Sequence, residues 1–156
     1  MDMGTEQLAH DFLAHRRFAF VGVSRSPDDF SRHLLRELLN RDYDVVPVNP
    51  ALAEVEGRRC YRRVQEIAPP VEAALLMTAP LVSERVVLEC AQAGIKLVWL
   101  HEGAGAGAAS PLTLATCKAH HMTTITGACP YMYLPNAGGL HRIHGFFQRH
   151  FGRWAA

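Results

Sequence analysis

The residues best suited to chemistry stand together in Gly22-Val23-Ser24-Arg25-Ser26, directly after the apolar run Phe18-Ala19-Phe20-Val21. A glycine at the exit of a buried strand lets the backbone turn tightly and lets a ligand approach closely. Ser24 and Ser26 offer hydroxyls. Arg25 and Arg32 offer charge-assisted hydrogen bonds to phosphate oxygens. Amides at the start of the next helix form an anion site reinforced by the helix dipole. The same glycine also suits a bare strand-to-helix turn.

A second group is Glu56-Gly57-Arg58-Arg59-Cys60-Tyr61-Arg62-Arg63. An arginine beyond the second strand of a nucleotide-binding sheet is placed to meet a ribose-linked phosphate. That requirement fits the 3′-phosphate of coenzyme A or the 2′-phosphate of NADP, and Arg58 and Arg59 are the first choices. A solvated basic turn has the same composition. His101 and Glu102 form a possible acid–base pair for a thioester or carbonyl. Cys129-Pro130 would bring a thiol to the ligand edge, although buried cysteines are more often inert. His141 and His144, three residues apart, match no closed zinc site, and Leu140, Ile143, Phe147 and Phe151 on the same stretch suit packing.

The elements that must position these groups follow from hydrophobic periodicity. Thr5 to His15 has an apolar helical face. Phe18–Val23 and Asp44–Val48 read as strands, separated by a helix over Ser31–Arg41 that carries Leu34, Leu35, Leu38 and Leu39. Val71–Thr78 is a third strand, stopped by Pro80, and Leu81–Ala93 is a helix with Gly94 as its stop. Ile95–Leu100 is a fourth strand. Ser110-Pro111 caps and opens another helix, and Thr123–Thr126 is a fifth strand. Pro47 would lose a ladder donor inside a central strand, so it belongs near the end of its strand.

Alternating strands and helices predict an α/β fold: a Rossmann-like, doubly wound parallel sheet of five strands, order 3-2-1-4-5, with helices on both faces. That order would make the loop after strand one face the loop after strand four, residues His101 to Ala109. The domain spans residues 1–134, including the N-terminal helix. Residues 135–156 follow a turn-rich break as a C-terminal helical appendage of the same domain.

Composition narrows the classes. At 156 residues the chain fits one domain, and 49% hydrophobic with 20% charged residues is ordinary for a globular protein. A net charge of +1 supplies no broad field for a polyanion or membrane surface. Cys60, Cys90, Cys117 and Cys129 form no Cys-x-x-Cys pair. Met1-Asp2-Met3-Gly4 lacks the order of a secretory leader, so a cytoplasmic protein with reduced thiols is expected. No apolar run approaches the roughly 18 residues of a membrane span.

The dinucleotide fingerprint is incomplete, with one glycine at the first turn and Asn49-Pro50 where NAD-binding folds place an acid. Instead, Gly22-Val23-Ser24-Arg25-Ser26-Pro27, Val46-Pro47-Val48-Asn49-Pro50, Gly57 with Cys60-Tyr61, and Pro80 follow one another in a familiar order. From about Phe18 to Cys129 the chain resembles the small stand-alone CoA-binding domain family, which is similar to the CoA-binding domain of the succinyl-CoA synthetase α subunit.

The resemblance implies a Rossmann-like domain binding coenzyme A or an acyl-CoA. Gly22, Val23, Ser24, Arg25 and Ser26 would line the pyrophosphate turn. Val48, Asn49 and Pro50 would sit beside the adenosine, and Thr78, Ala79 and Pro80 beside the ligand. With Arg32, Arg58, Arg59 and His101 these complete the expected binding set. Ser31 departs from the glycine common in the family, and His101-Glu102-Gly103 departs from its usual sequence. Many members look like bare binding domains, so a non-catalytic binding or sensing module is expected. The alternative is an NADP-dependent oxidoreductase or regulatory domain using His101 as acid. Partner docking or self-association through the C-terminal helix is a further expectation.

Overall fold

Four consecutive apolar residues, Phe18 to Val21, cannot satisfy a sheet with one wet face, and they occupy a strand covered on both sides. The computed structural model describes residues 3–102 and 107–135. In chain order the helices are α1 (Met3–Ala14), α2 (Phe30–Asn40), α3 (Pro80–Gln92) and α4 (Pro111–Ala119). The strands are β1 (Arg17–Val21), β2 (Asp44–Val48), β3 (Glu54–Val55), β4 (Arg58–Arg59), β5 (Ala73–Leu76), β6 (Leu97–Leu100) and β7 (Thr123–Ile125). Short 3-10 turns cover Val64–Glu66 and Pro130–Tyr133.

The main sheet has five parallel strands in the order β2-β1-β5-β6-β7, and β3 and β4 form a separate antiparallel hairpin. The α/β class is as expected, but the strand order differs. The third long strand, β5, lies on the far side of β1 instead of outside β2. Pro47 gives a physical reason. Its carbonyl accepts from Tyr61 N at 3.0 Å and Asn49 N donates to Tyr61 O at 2.9 Å, both on the outer side of β2. On the other side, Val48 O accepts from Gly22 N at 3.2 Å. The N–H and C=O of one strand residue point the same way, so the donor missing at Pro47 falls on the outer edge. A proline there costs no bond to β1, whereas a strand flanked on both sides would lose one.

Two apolar layers enclose the sheet. On the α1–α2 side, Phe12, Phe18, Phe20, Leu34, Leu38 and Trp99 are fully buried. The Phe12 ring meets Trp99 edge-on at 5.3 Å, and Trp99 Nε1 donates to Ala128 O at 3.1 Å. On the α3–α4 side, Val86, Val87 and Cys90 pack with Val98, Leu100 and Cys117. Ser110 caps α4 with a reciprocal Thr113 bond, and Gly94, at φ +80, follows α3.

All four cysteines are free and buried. Among the described residues, no helix is long and apolar enough to cross a membrane. The expected C-terminal helix, with His141 and His144, lies outside the described residues.

Candidate functional site

Placing β1 between β2 and β5 moves the point where strand order reverses to the β1–β5 boundary, and a cleft of about 620 Å³ opens there. That size suits a small-molecule ligand. Val21 and Gly22 come from the exit of β1, Val48-Asn49-Pro50 from that of β2, and Thr78 from that of β5. Val82 and Val86 of α3 add apolar wall, and Arg62, Arg63 and Arg85 bring cations, with Glu66 and Glu89 among them. Of the expected binding residues, Gly22, Val48, Asn49, Pro50 and Thr78 therefore line one cavity. Gly22 faces the β5 exit, not the loop after β6.

Gly22, Asn49 and Thr78 also have structural tasks. Gly22 holds φ +96, and a Cβ there would lie 2.4 Å from Met77 O. The glycine is required by the close approach of two backbones. Asn49 uses both ends of its amide. Its Nδ2 donates to Val23 O at 2.8 Å, and its Oδ1 accepts from Ala51 N at 2.8 Å. A carboxylate at this position would set an acceptor against the Val23 carbonyl, so the acid of the dinucleotide fingerprint does not fit here.

Thr78 Oγ1 lies 2.6 Å from Ser83 Oγ, behind the opening of α3. No side chain caps that helix: Ala79 holds the N-cap position and Pro80 the first turn. The helix cannot satisfy its own first-turn amides, and these stand beside Thr78 and Val82 of the cleft.

The opening of α2 differs. Asp29 Oδ1 accepts from Ser31 N at 2.8 Å and Ser31 Oγ at 2.6 Å. Ser31 Oγ in turn accepts from Ser24 N at 2.9 Å, and Ser24 Oγ accepts from Ser26 N at 3.1 Å. The anion position expected at this helix start is held by the protein's own carboxylate. Val23 is buried, and Arg25 and Ser26 are exposed on the loop. None of Val23 to Ser26 lines the cleft.

Three arginines expected at phosphate are turned elsewhere. Arg58 pairs with Asp44 at the start of β2, the end of that strand remote from the cleft. Arg59 lies over the Tyr61 ring at 4.5 Å. Arg32 forks onto Glu56 Oε1 at 2.9 and 2.6 Å, an ion pair that holds the Glu56 carboxyl below its usual range. Sequence reasoning singled out neither Arg62 nor Arg63 within their basic run, and it overlooked Arg85. The available signal for Arg85 was its spacing from Val82 and Glu89, which places all three on one side of α3. Arg63 pairs loosely with Glu89 at 3.4 Å. Among the described residues, no ion pair holds Arg62 or Arg85.

His101 lies outside this cleft. Its side chain is buried against Phe30, ring centroids 5.7 Å apart, and Nε2 has no hydrogen-bond partner among the described residues. Burial drives its pKa down to about 4. The imidazole is neutral and unpaired with Glu102, which does not suit an acid–base pair. Cys129 is also buried, which pushes its thiol up to about 11 and leaves little nucleophilic thiolate. Among the described residues no group of three or more His, Cys, Asp or Glu is placed to hold a metal.

A parallel sheet covered on both faces, with a cleft at its switch point, defines the doubly wound, nucleotide-binding class of α/β proteins. Within that class the chain belongs to the CoA-binding domain family, whose model matches residues 16–135. It is 24% identical over 78 residues to an ADP-forming acetate–CoA ligase of Methanocaldococcus jannaschii, covering 50% of this chain and 11% of the ligase. It is 28% identical over 88 residues to the α subunit of an ADP-forming acetate–CoA ligase II of Pyrococcus furiosus, covering 54% and 19%. The chain thus matches less than a fifth of either ligase's length. Among solved structures, a conserved hypothetical protein of Pyrococcus furiosus superposes with TM-score 0.70 and 30% identity, covering 76% of this chain and 99% of that one. A hypothetical protein of Pyrococcus horikoshii gives TM-score 0.75 and 25% identity, covering 83% and 88%.

Proposed function

We propose that the protein binds coenzyme A or an acyl-CoA in the cleft between the β1 and β5 exits, as a binding module without chemistry of its own. The observation that carries this reading is the pairing of an apolar wall with uncommitted cations. Val21, Val48, Val82 and Val86 suit the base or the pantetheine arm, while Arg62 and Arg85 are available to phosphate oxygens. Gly22, Val48, Asn49, Pro50 and Thr78 are the proposed contacts at the strand ends. The family supports the choice of ligand. The resemblance to parts of two acetate–CoA ligases is compatible with a module that holds the cofactor while a partner performs acyl chemistry. The NADP reading keeps only Arg62 and Arg63 of its arginine cluster at the cleft, since Arg58 faces Asp44, and it loses its acid, since His101 is a buried neutral ring.

The test is calorimetric titration with CoA, dephospho-CoA and NADPH. CoA should bind tightest. Joint replacement Arg62→Ala and Arg85→Ala should weaken it by about tenfold or more, with Arg58→Ala close to wild type. Tighter NADPH binding, or indifference to the double replacement, would overturn the assignment.

A further inference from the structure

Four side chains of α3 line the cleft in helical order: Val82, Arg85, Val86 and Glu89. Their spacing of three, four and seven residues from Val82 puts them on one face of the helix. The row runs about 10 Å along the cleft, comparable with the span from a nucleotide's phosphate to the far edge of its base.

The character of the face changes along this row. Val82 and Val86 are apolar wall, continued by the buried Val21 and Val48 at the strand exits. Glu89 ends the row. Its side chain is only 13% exposed, against 57% for its partner Arg63. A single long contact joins the two, Arg63 Nη2 donating to Glu89 Oε1 at 3.4 Å. Among the described residues no other side chain is bonded to this carboxylate. Just beyond it, Gln65 Nε2 donates to Gln92 Oε1 at 3.1 Å, and neither glutamine lines the cleft.

A shielded acid does nothing for phosphate, which it repels. A carboxylate accepts hydrogen bonds only, and a shielded one with a single long partner keeps capacity for a donor that the ligand brings. The donor must lie away from the phosphates and on a group that fits the valine wall. The exocyclic amine of adenine meets both conditions, with two N–H groups at the edge of a flat ring. The amides of pantetheine sit on a flexible chain and offer no such edge.

We infer, on the strength of the CoA reading, that Glu89 selects the base of the bound cofactor by accepting a hydrogen bond from the adenine amino group. Arg62 and Arg85 then hold charge, and Glu89 decides which purine is admitted. Hypoxanthine, with a keto oxygen in place of the amine, would set one acceptor against another and be rejected.

Calorimetric titration of the whole chain with coenzyme A and with its hypoxanthine analogue reads this selection. Wild type should prefer coenzyme A by about tenfold to a hundredfold, the range for a hydrogen bond to a charged group. Glu89→Gln can turn either an amide oxygen or an amide N–H toward the base. It should therefore bind coenzyme A more weakly than wild type and the analogue more tightly, so that the preference nearly disappears. A merely structural Glu89 would weaken both ligands together, and simple repulsion of phosphate would make the variant bind both more tightly. Either result would overturn the inference. So would equal binding of the two ligands by wild type, a comparison that needs no variant and leaves the CoA reading intact. No binding of coenzyme A by wild type would overturn that reading and the base selection with it.

Discussion

Replacing Gly22 by alanine tests the geometry on which the cleft depends. The new methyl would lie 2.4 Å from Met77 O, 2.8 Å from Met77 C and 2.9 Å from Thr78 Cγ2. The first two are backbone atoms at the exit of β5, and neither can rotate aside. Holding an L-residue at φ +96 costs about 1–2 kcal/mol. Forcing two packed chain ends apart adds about 1–3 kcal/mol. The expected loss, about 2–5 kcal/mol, is a large share of a stability on the order of 5–15 kcal/mol. Gly57→Ala supplies the control. It sits at φ +73 with nothing within 4 Å of the added methyl, so it carries only the torsional cost of about 1–2 kcal/mol. Urea unfolding followed by far-ultraviolet circular dichroism measures both variants. If Gly22→Ala loses no more than Gly57→Ala, the strand exits are not packed as described. The glycine would then serve ligand approach alone.

Stability should also fall in acid. His101 titrates near 6.5 when exposed and is pushed down to about 4 by burial. Below the higher value the unfolded chain takes up a proton that the folded one refuses, so stability is complete above 6.5 and is lost as pH falls toward 4. The two values imply a loss of about 3 kcal/mol, and His101→Gln should flatten this part of a denaturation-versus-pH profile. Trp99→Phe removes the donor to Ala128 O from a fully buried site. It should cost about 2–4 kcal/mol, measured by urea unfolding.

Long, uniformly apolar strands and leucine-spaced helices made the α/β class legible, because burial on both faces and on one face leave different periods. Strand order was less legible. Hydrophobicity alone does not say on which side of β1 the next strand falls, and the deciding signal was a single missing donor at Pro47. The β3–β4 hairpin, Glu54–Val55 with Arg58–Arg59, escaped notice because two-residue strands carry no period. That omission misdirected the arginines. Within the hairpin Arg58 is drawn to Asp44, while Arg62 and Arg63, just past the Val48–Tyr61 bridge, reach the cleft. A basic run announces charge, but its local backbone decides which member faces the ligand.

The same bonds explain why this sheet departs from a dinucleotide fingerprint while keeping a cleft in the same place. A dinucleotide site devotes glycines to pyrophosphate approach and an acid after the second strand to ribose. Here the glycine accommodates Met77, and the residue after β2 donates to Val23 O, joining the exits of β1 and β2. Neither position is free to read a ribose hydroxyl with a negative charge. Discrimination then shifts to groups outside the β1 turn, the uncapped start of α3 and the cations Arg62 and Arg85. These favour a ligand richer in phosphate over one selected by its ribose diol, and that preference is what separates CoA from dephospho-CoA in the proposed titration.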